Sequence, residues 1–280
     1  MHRILFIYML GTALAYATDQ RAAVRVDVDG VDVGSDQKIS TMLQSHYTNT
    51  VLWMTFSKEH TAGEYYDFST YKNDGEQTTS ASRPLWTNYV GGVYAFDGTD
   101  DHINLGDDPS FTHATGFSMS AWFFRASTPS VKVTGEIVFD GARIGALTTG
   151  RGRTLMRLNT ARTITWYTRW EEGSSNQRYV TGASTLTSGV WHFVLGTADP
   201  ATDTVHLYVD GVNDDGTFKG TYLNTIEPEQ MIIGDDYVGS GNYAFEGMID
   251  DYKIINHVMT ATEALAMYNA EPTVANGGKR

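Results

Sequence analysis

The sequence predicts an all-β fold of two antiparallel sheets packed as a sandwich, with a short helix near the C-terminal end and an extension ahead of the first core strand. Two observations carry this. From Val51 onward, short runs rich in Val, Ile, Phe, Tyr and Trp recur at the spacing of a sandwich and are broken by Gly, Asn, Asp and Ser. No helical period interrupts them before residue 260.

Leu52 to Phe56 reads as the first core strand, and Asp67 to Gly75 as a polar loop after it. Gly92 to Phe96 and His102 to Leu105 alternate apolar residues around the turn Phe96-Asp97-Gly98-Thr99-Asp100-Asp101, whose central Gly tolerates positive φ, so the segment reads as a hairpin. Far along the chain, Gly247-Met248-Ile249-Asp250-Asp251 precedes another strand, Tyr252 to Ile255. There follows Thr260-Ala261-Thr262-Glu263, where a Thr oxygen can cap a helix and a Glu can bond back. Ala261, Ala264, Leu265 and Tyr268 then recur at helical spacing. Between the two acid-rich turns stand Phe117 to Phe123, Trp191 to Gly196 and Val205 to Gly211.

This succession resembles the laminin-G-like jelly rolls of the concanavalin A-like superfamily. The shared motifs are the F-D-G-x-D-D turn at Phe96, S-x-S-A-W at Ser118, W-H at Trp191, L-Y-V-D-G at Leu207 and G-x-I-D-D at Gly247, with a short terminal helix after them. The resemblance covers about Val51 to Asn269 and implies a two-sheet antiparallel jelly-roll sandwich. The chain divides on this reading into 1–17, 18–50 (an extension carrying a hairpin at Ala22 to Gly34), the jelly roll 51–270, and a fraying tail 271–280.

The formal net charge of −13 argues against nucleic acid, since phosphate binding needs clustered Lys and Arg that this chain does not concentrate. Metal cations suit it better. There is no cysteine, so the fold holds without disulfides. Met1-His2-Arg3, the apolar Ile4 to Ala17 and the small-x-small ending Ala15-Tyr16-Ala17 have the layout of a secretory signal peptide, too short for a membrane span. That layout points to a secreted or cell-surface protein. The alternative is an apolar N-terminal strand that docks a virion component onto neighbouring chains.

Calcium takes six to eight oxygen ligands, so a site needs several acids gathered by turns. Asp97, Asp100 and Asp101, with Asp250 and Asp251, could supply them if the hairpin and the late strand are neighbours. In related jelly rolls such a site is structural and lies away from the ligand face. The alternative is that these residues serve as turn formers.

A sugar-binding face needs aromatic rings beside planar polar groups. Alternation in Thr163 to Trp170 puts Ile164, Trp166 and Thr168 with Trp170 on one face and Thr165, Tyr167 and Arg169 on the other, and Trp166 reads as core packing between the sheets. The candidate ligand contacts are Tyr167, Arg169 and Trp170, then Asn176 and Arg178 from the next loop, and Tyr237, Asn242 and Tyr243 from a later one. Catalysis is not expected. The E-x-D-x-x-E strand of laminarinase-type members and the R-x-E-L-R and Q-I-H strands of alginate-lyase-like members are absent, and Glu136 and Asp140 are too widely spaced to work as a pair. The expected function is a non-catalytic recognition module that binds a glycan or a surface protein and carries structural calcium. Second to it stands the structural virion protein, and behind both a glycan-active hydrolase or lyase.

Overall fold

Strand alternation sorts the apolar residues of this chain onto two facing surfaces. The computed structural model describes residues 49–270 except 57, 58, 60, 62, 90, 91, 112–114, 127–134, 143–152, 170–176, 221–229 and 236–242, together with residues 273, 274, 278 and 279. These all fall in the unit Asn49–Arg280. The leader-like start, the Ala22 to Gly34 hairpin and the remainder of the extension before residue 49 lie outside the described residues.

The first sheet contains β1 (Thr50–Met54), β4 (Leu85–Thr87), β5 (Val93–Asp97), β7 (Phe117–Phe124), β12 (Trp191–Asp199), β13 (Thr204–Val209), β14 (Val212–Asn213) and β17 (Glu246–Ile255). Its order is β14-β13-β12-β7-β17-β5-β4, with β1 also paired to β17. The second contains β2 (Glu64–Tyr65), β3 (Gly75–Glu76), β6 (Ile103–Gly106), β8 (Glu136–Ala142), β9 (Arg153–Leu158), β10 (Ile164–Arg169), β11 (Gln177–Gly182), β15 (Asp215–Lys219) and β16 (Gln230–Ile233). Its order is β15-β11-β10-β9-β8-β16-β6-β3-β2. The described pairings are antiparallel, and strands remote in sequence, such as β7 and β17 or β6 and β16, lie side by side. This is the two-sheet antiparallel sandwich that the sequence predicts.

The core lies between the sheets. Along β7, Phe117, Met119, Ala121 and Phe123 point inward and join Trp166 of β10. The Trp166 indole is fully buried, and its Nε1 donates to the Thr197 carbonyl of the opposite sheet at 2.8 Å. Gly196 makes room for it: a Cβ at that position would stand 2.3 Å from the ring. Burying a side chain of this size is worth about 2 to 3 kcal/mol, and the hydrogen bond removes the penalty its N–H would otherwise bring.

The alternate residues of β7 explain the S-x-S-A-W motif. Ser118 Oγ donates to the His257 carbonyl at 2.6 Å and accepts from Met259 N–H at 2.9 Å, while the buried Trp122 stacks on Tyr268 with centroids 5.5 Å apart. They seat α1 (Ala261–Ala270) on the back of the first sheet. Its start is the expected capping box: Thr260 N–H donates to Glu263 Oε2 at 2.7 Å, and Glu263 N–H donates to Thr260 Oγ1 at 3.3 Å. Ala264 and Met267 form the buried stripe, whereas Leu265, expected among the packed residues, is 44% exposed. Thr273 and Val274 pair with Lys279 and Gly278 in a short ladder.

Candidate functional site

The β5–β6 connection gathers three carboxylates. Gly98, at φ +76, closes a turn in which Thr99 N–H donates to Asp97 Oδ1 at 2.7 Å and Asp97 N–H donates to Asp101 Oδ2 at 2.8 Å. Ser82 Oγ donates to Asp100 Oδ2 at 2.7 Å. His102 is placed by the same turn. Its Nδ1 donates to the Asp100 carbonyl at 2.8 Å, which leaves Nε2 to accept from Gln77 Nε2 at 2.7 Å. Burial, reinforced by the charges of Asp97 and Asp100, pushes the Asp101 carboxyl up to about 6 against the Asp97 N–H and His102, which lower it. One oxygen from each of Asp97, Asp100 and Asp101 can be chosen so that all lie within 4.8 Å of one another. Calcium–oxygen bonds of about 2.3 to 2.6 Å span separations of that order across a single ion, so this donor set fits calcium.

Asp250 and Asp251 do not join this cluster. The two acid-rich segments are neighbours, since Gly247 pairs with Phe96 and Glu246 with Asp97. The register then carries Asp250 four residues beyond Asp97, about 13 Å along the strand. At that point β17 leaves β5 and takes β1 as partner, with Tyr252 opposite Met54. Asp251 sits at the changeover with φ +51, accepts from Trp53 Nε1 at 2.6 Å and pairs with Lys253. The side chain of Asp250 is fully buried and accepts from the Asp251 N–H at 2.8 Å. These two acids stabilise a strand irregularity and have protein partners of their own.

A second acid the sequence left without a role organises the polar loop after β1. Asp67 Oδ1 accepts from Trp53 N–H at 2.9 Å and Ser69 N–H at 2.7 Å, and Oδ2 accepts from Ser69 Oγ at 2.6 Å and Asn73 N–H at 2.8 Å. The W-H and L-Y-V-D-G motifs likewise meet in space. His192 Nδ1 lies 2.9 Å from Asp210 Oδ2, and Asp210 Oδ1 accepts from Phe193 N–H at 2.9 Å. Glu136 is fully buried in a two-pronged pair with Arg125 at 2.8 and 2.9 Å, and Arg125 reaches Glu246 at 3.3 Å. This carboxylate is committed to joining the two sheets.

The outer surface of the second sheet holds the aromatic candidate. Tyr167 of β10 stands opposite Tyr179 of β11, and their half-buried rings stack with centroids 5.1 Å apart at 25°. Beside them runs a hydrogen-bonded polar row. Arg157 Nε donates to Asn159 Oδ1 at 3.2 Å, Asn159 Nδ2 donates to Thr163 and Thr165 hydroxyls at 3.0 and 2.9 Å, and the Thr165 and Thr181 hydroxyls meet at 3.0 Å. Trp166, on the opposite face of β10, is core, as expected.

Among the described residues, the predicted ligand residues Tyr167 and Arg178 lie on opposite sides of the second sheet. Arg178 alternates with Tyr179 and therefore lies on the other side of β11, where its Nη1 donates to the Gly220 carbonyl at 2.7 Å and its guanidinium covers the Phe218 ring at 5.8 Å. Tyr243 is half-buried on the connection into β17, a strand of the other sheet. Arg169 ends β10 opposite Arg153 and Gln177. Trp170, Asn176, Tyr237 and Asn242 lie outside the described residues. Tyr179 was missed. Its signal in the sequence is the alternation of Gln177-Arg178-Tyr179-Val180-Thr181, which acquires meaning only when Val180 is known to face inward.

With this geometry in place, the relationships to known proteins are clear. The laminin-G-like family model described as Concanavalin A-like lectin/glucanases superfamily matches residues 97–264, more than half of the chain, and the chain belongs to that family. No curated protein matches the sequence. The binding domain of Paraclostridial Mosquitocidal Protein 1 is similar with a TM-score of 0.59 and 13% identity, over 80% of this chain and 52% of that one. Domain 4 of AbnA, a GH43 extracellular arabinanase from Geobacillus stearothermophilus, in complex with arabinotriose, gives 0.55 and 16%, over 79% and 98%. The Botulinum neurotoxin serotype D ligand binding domain in complex with N-acetylneuraminic acid gives 0.59 and 13%, over 81% and 52%. The chain spans about half the length of these two toxin domains. At such identities the likeness shows the fold alone.

Proposed function

We propose that this chain is a non-catalytic glycan-binding module, with the saccharide lying across Tyr167 and Tyr179 on the outer surface of the second sheet. The observation that carries this reading is the half-buried tyrosine stack flanked by an amide, hydroxyls and a guanidinium that are already oriented by hydrogen bonds to one another. Aromatic rings cover the apolar side of a pyranose, and fixed polar groups select hydroxyl positions without an ordering cost at binding. The arabinanase domain supports it, because its solved complex holds an oligosaccharide and nearly its whole length matches. The neurotoxin domain adds a second saccharide complex. Calcium at Asp97, Asp100 and Asp101 has a structural role on this reading, and the leader-like start favours action outside the cell.

Titration against a broad panel of oligosaccharides tests the reading. A ligand should emerge, and Tyr179→Ala should weaken it about five- to tenfold through lost stacking. The same change removes a cross-strand pair worth about 0.2 to 1 kcal/mol, so a melt must accompany the titration. A folded variant that binds as tightly as the parent removes the tyrosine stack from the site.

A further inference from the structure

We propose that the turn Thr187 to Val190 is a pH-operated latch, held against the β13–β14 hairpin by His192 in mild acid and released at alkaline pH. The inference is independent of the glycan reading. It comes from what the two nitrogens of the His192 ring face. Nδ1 lies 2.9 Å from Asp210 Oδ2, and Nε2 lies 3.0 Å from the Thr187 carbonyl. An ionised carboxylate and a carbonyl only accept, so both contacts are complete only when both nitrogens carry hydrogen. A neutral ring has one N–H. It keeps that hydrogen toward the stronger acceptor, Asp210, and turns a lone pair on the Thr187 oxygen. The contact that closed the turn then becomes repulsive.

Fixed anchors confine the motion to this turn. On one side Leu186 is buried in the core and its N–H donates to the Arg162 carbonyl at 2.8 Å; on the other, Trp191 opens β12. Between them Thr187, Gly189 and Val190 are exposed and Ser188 is half-buried. Besides His192, the turn is tied by Gly189 N–H, which donates to the Arg125 carbonyl at 2.8 Å, and by Ser188 Oγ, which accepts from Arg162 Nη1 at 3.3 Å. A cavity of about 250 Å³ beside it, lined by residues that include Ser184, Thr187, His192, Asp210 and Asp214, is polar and wide enough to bring water to a freed carbonyl. The surrounding ionisable groups leave control with the ring. The hairpin contributes Asp210, the β14–β15 connection contributes Asp214, and residues 183–190 contribute none. From β7, the Phe123 ring lies 6.0 Å from the imidazole, and Arg125 beyond it is taken by Glu136 and Glu246. From α1, Tyr268 is raised above its ordinary 10.0 by burial and then by the Asp210 charge, so it stays neutral throughout. Burial opposes the charge on His192, but the hydrogen bond and charge of Asp210, with the Thr187 carbonyl, raise the ring above 6.5. The latch is therefore closed below about pH 6.5 and opens as pH climbs through the raised folded value.

Hydrogen exchange of individual amides in the intact chain tests the latch, with the titration of the His192 ring followed by NMR on the same samples. After correction for intrinsic base catalysis, protection of the Gly189 N–H should fall about tenfold or more between about pH 5 and about pH 9, the scale of one lost charge-assisted hydrogen bond, with the midpoint of the ring. Leu186 N–H, on the anchored side, should hold its protection, which separates release of the turn from a general loss of stability. Asp210→Asn places an amide donor beside Nδ1, so a neutral ring can accept there and give its one hydrogen to Thr187. In that variant the Gly189 step should vanish with the turn closed. His192→Gln carries no titrating group and should also remove the step, which keeps the test valid if Asp210→Asn folds poorly. A ring that titrates while Gly189 protection stays constant overturns the inference. So does a step that survives in His192→Gln, or one that Leu186 shares in full.

Discussion

His192 shows how one side chain can bind two motifs into a single structural unit. Its Nδ1 faces Asp210 Oδ2 at 2.9 Å and its Nε2 faces the Thr187 carbonyl at 3.0 Å, two groups that only accept, so both contacts are satisfied by the imidazolium. Burial disfavours that charge, but the hydrogen bond and charge of Asp210, aided by Thr187, outweigh it and raise the ring above its ordinary value of 6.5. A raised folded value means the charged ring stabilises the fold fully below about pH 6.5 and less as pH climbs through the folded value. Comparing melts of the parent and His192→Gln across pH should therefore show a gap that is widest in mild acid and narrows toward alkaline pH. A gap of constant width would assign His192 a purely steric role.

At the scale of the element, the β5–β6 hairpin and β17 show what crowded acids do in different backbone settings. In the hairpin, one oxygen of each of Asp97, Asp100 and Asp101 serves the turn, and the three groups remain close enough for a single cation. In β17, the paired acids sit where the strand changes partner, and the protein itself supplies the hydrogen bonds and the lysine. Calcium at about a hundredfold above its dissociation constant should then raise the melting temperature by about 5 to 10 °C. Asp97→Asn keeps the oxygen used by Thr99 but loses charge and should abolish that rise, whereas Asp251→Asn should destabilise the chain without altering its response to calcium. A parent melt indifferent to calcium and to chelator would reduce the hairpin cluster to turn chemistry.

For the molecule as a whole, the sandwich was legible because its defining features are local. S-x-S-A-W states which residues of β7 face the core and which carry the helix, and Thr260 with Glu263 marks the helix start within four residues. The site was legible only in part. Tyr167 was found from alternation within β10, but its partner Tyr179, the separation of Arg178 from it, and the offset of Asp250 from Asp97 all depend on register between strands. Register is fixed by turns, bulges and core packing acting together, and a two-residue slip would preserve every local pattern while exchanging every neighbour.

Mapping backbone amide shifts while an oligosaccharide identified by the panel is titrated into the intact chain tests the central claim most directly. The account predicts perturbations concentrated in β9, β10, β11 and β15, strongest around Tyr167, Tyr179 and Lys219. Shifts confined to the β5–β6 turn or to the His192 hairpin, with those four strands unmoved, would contradict it.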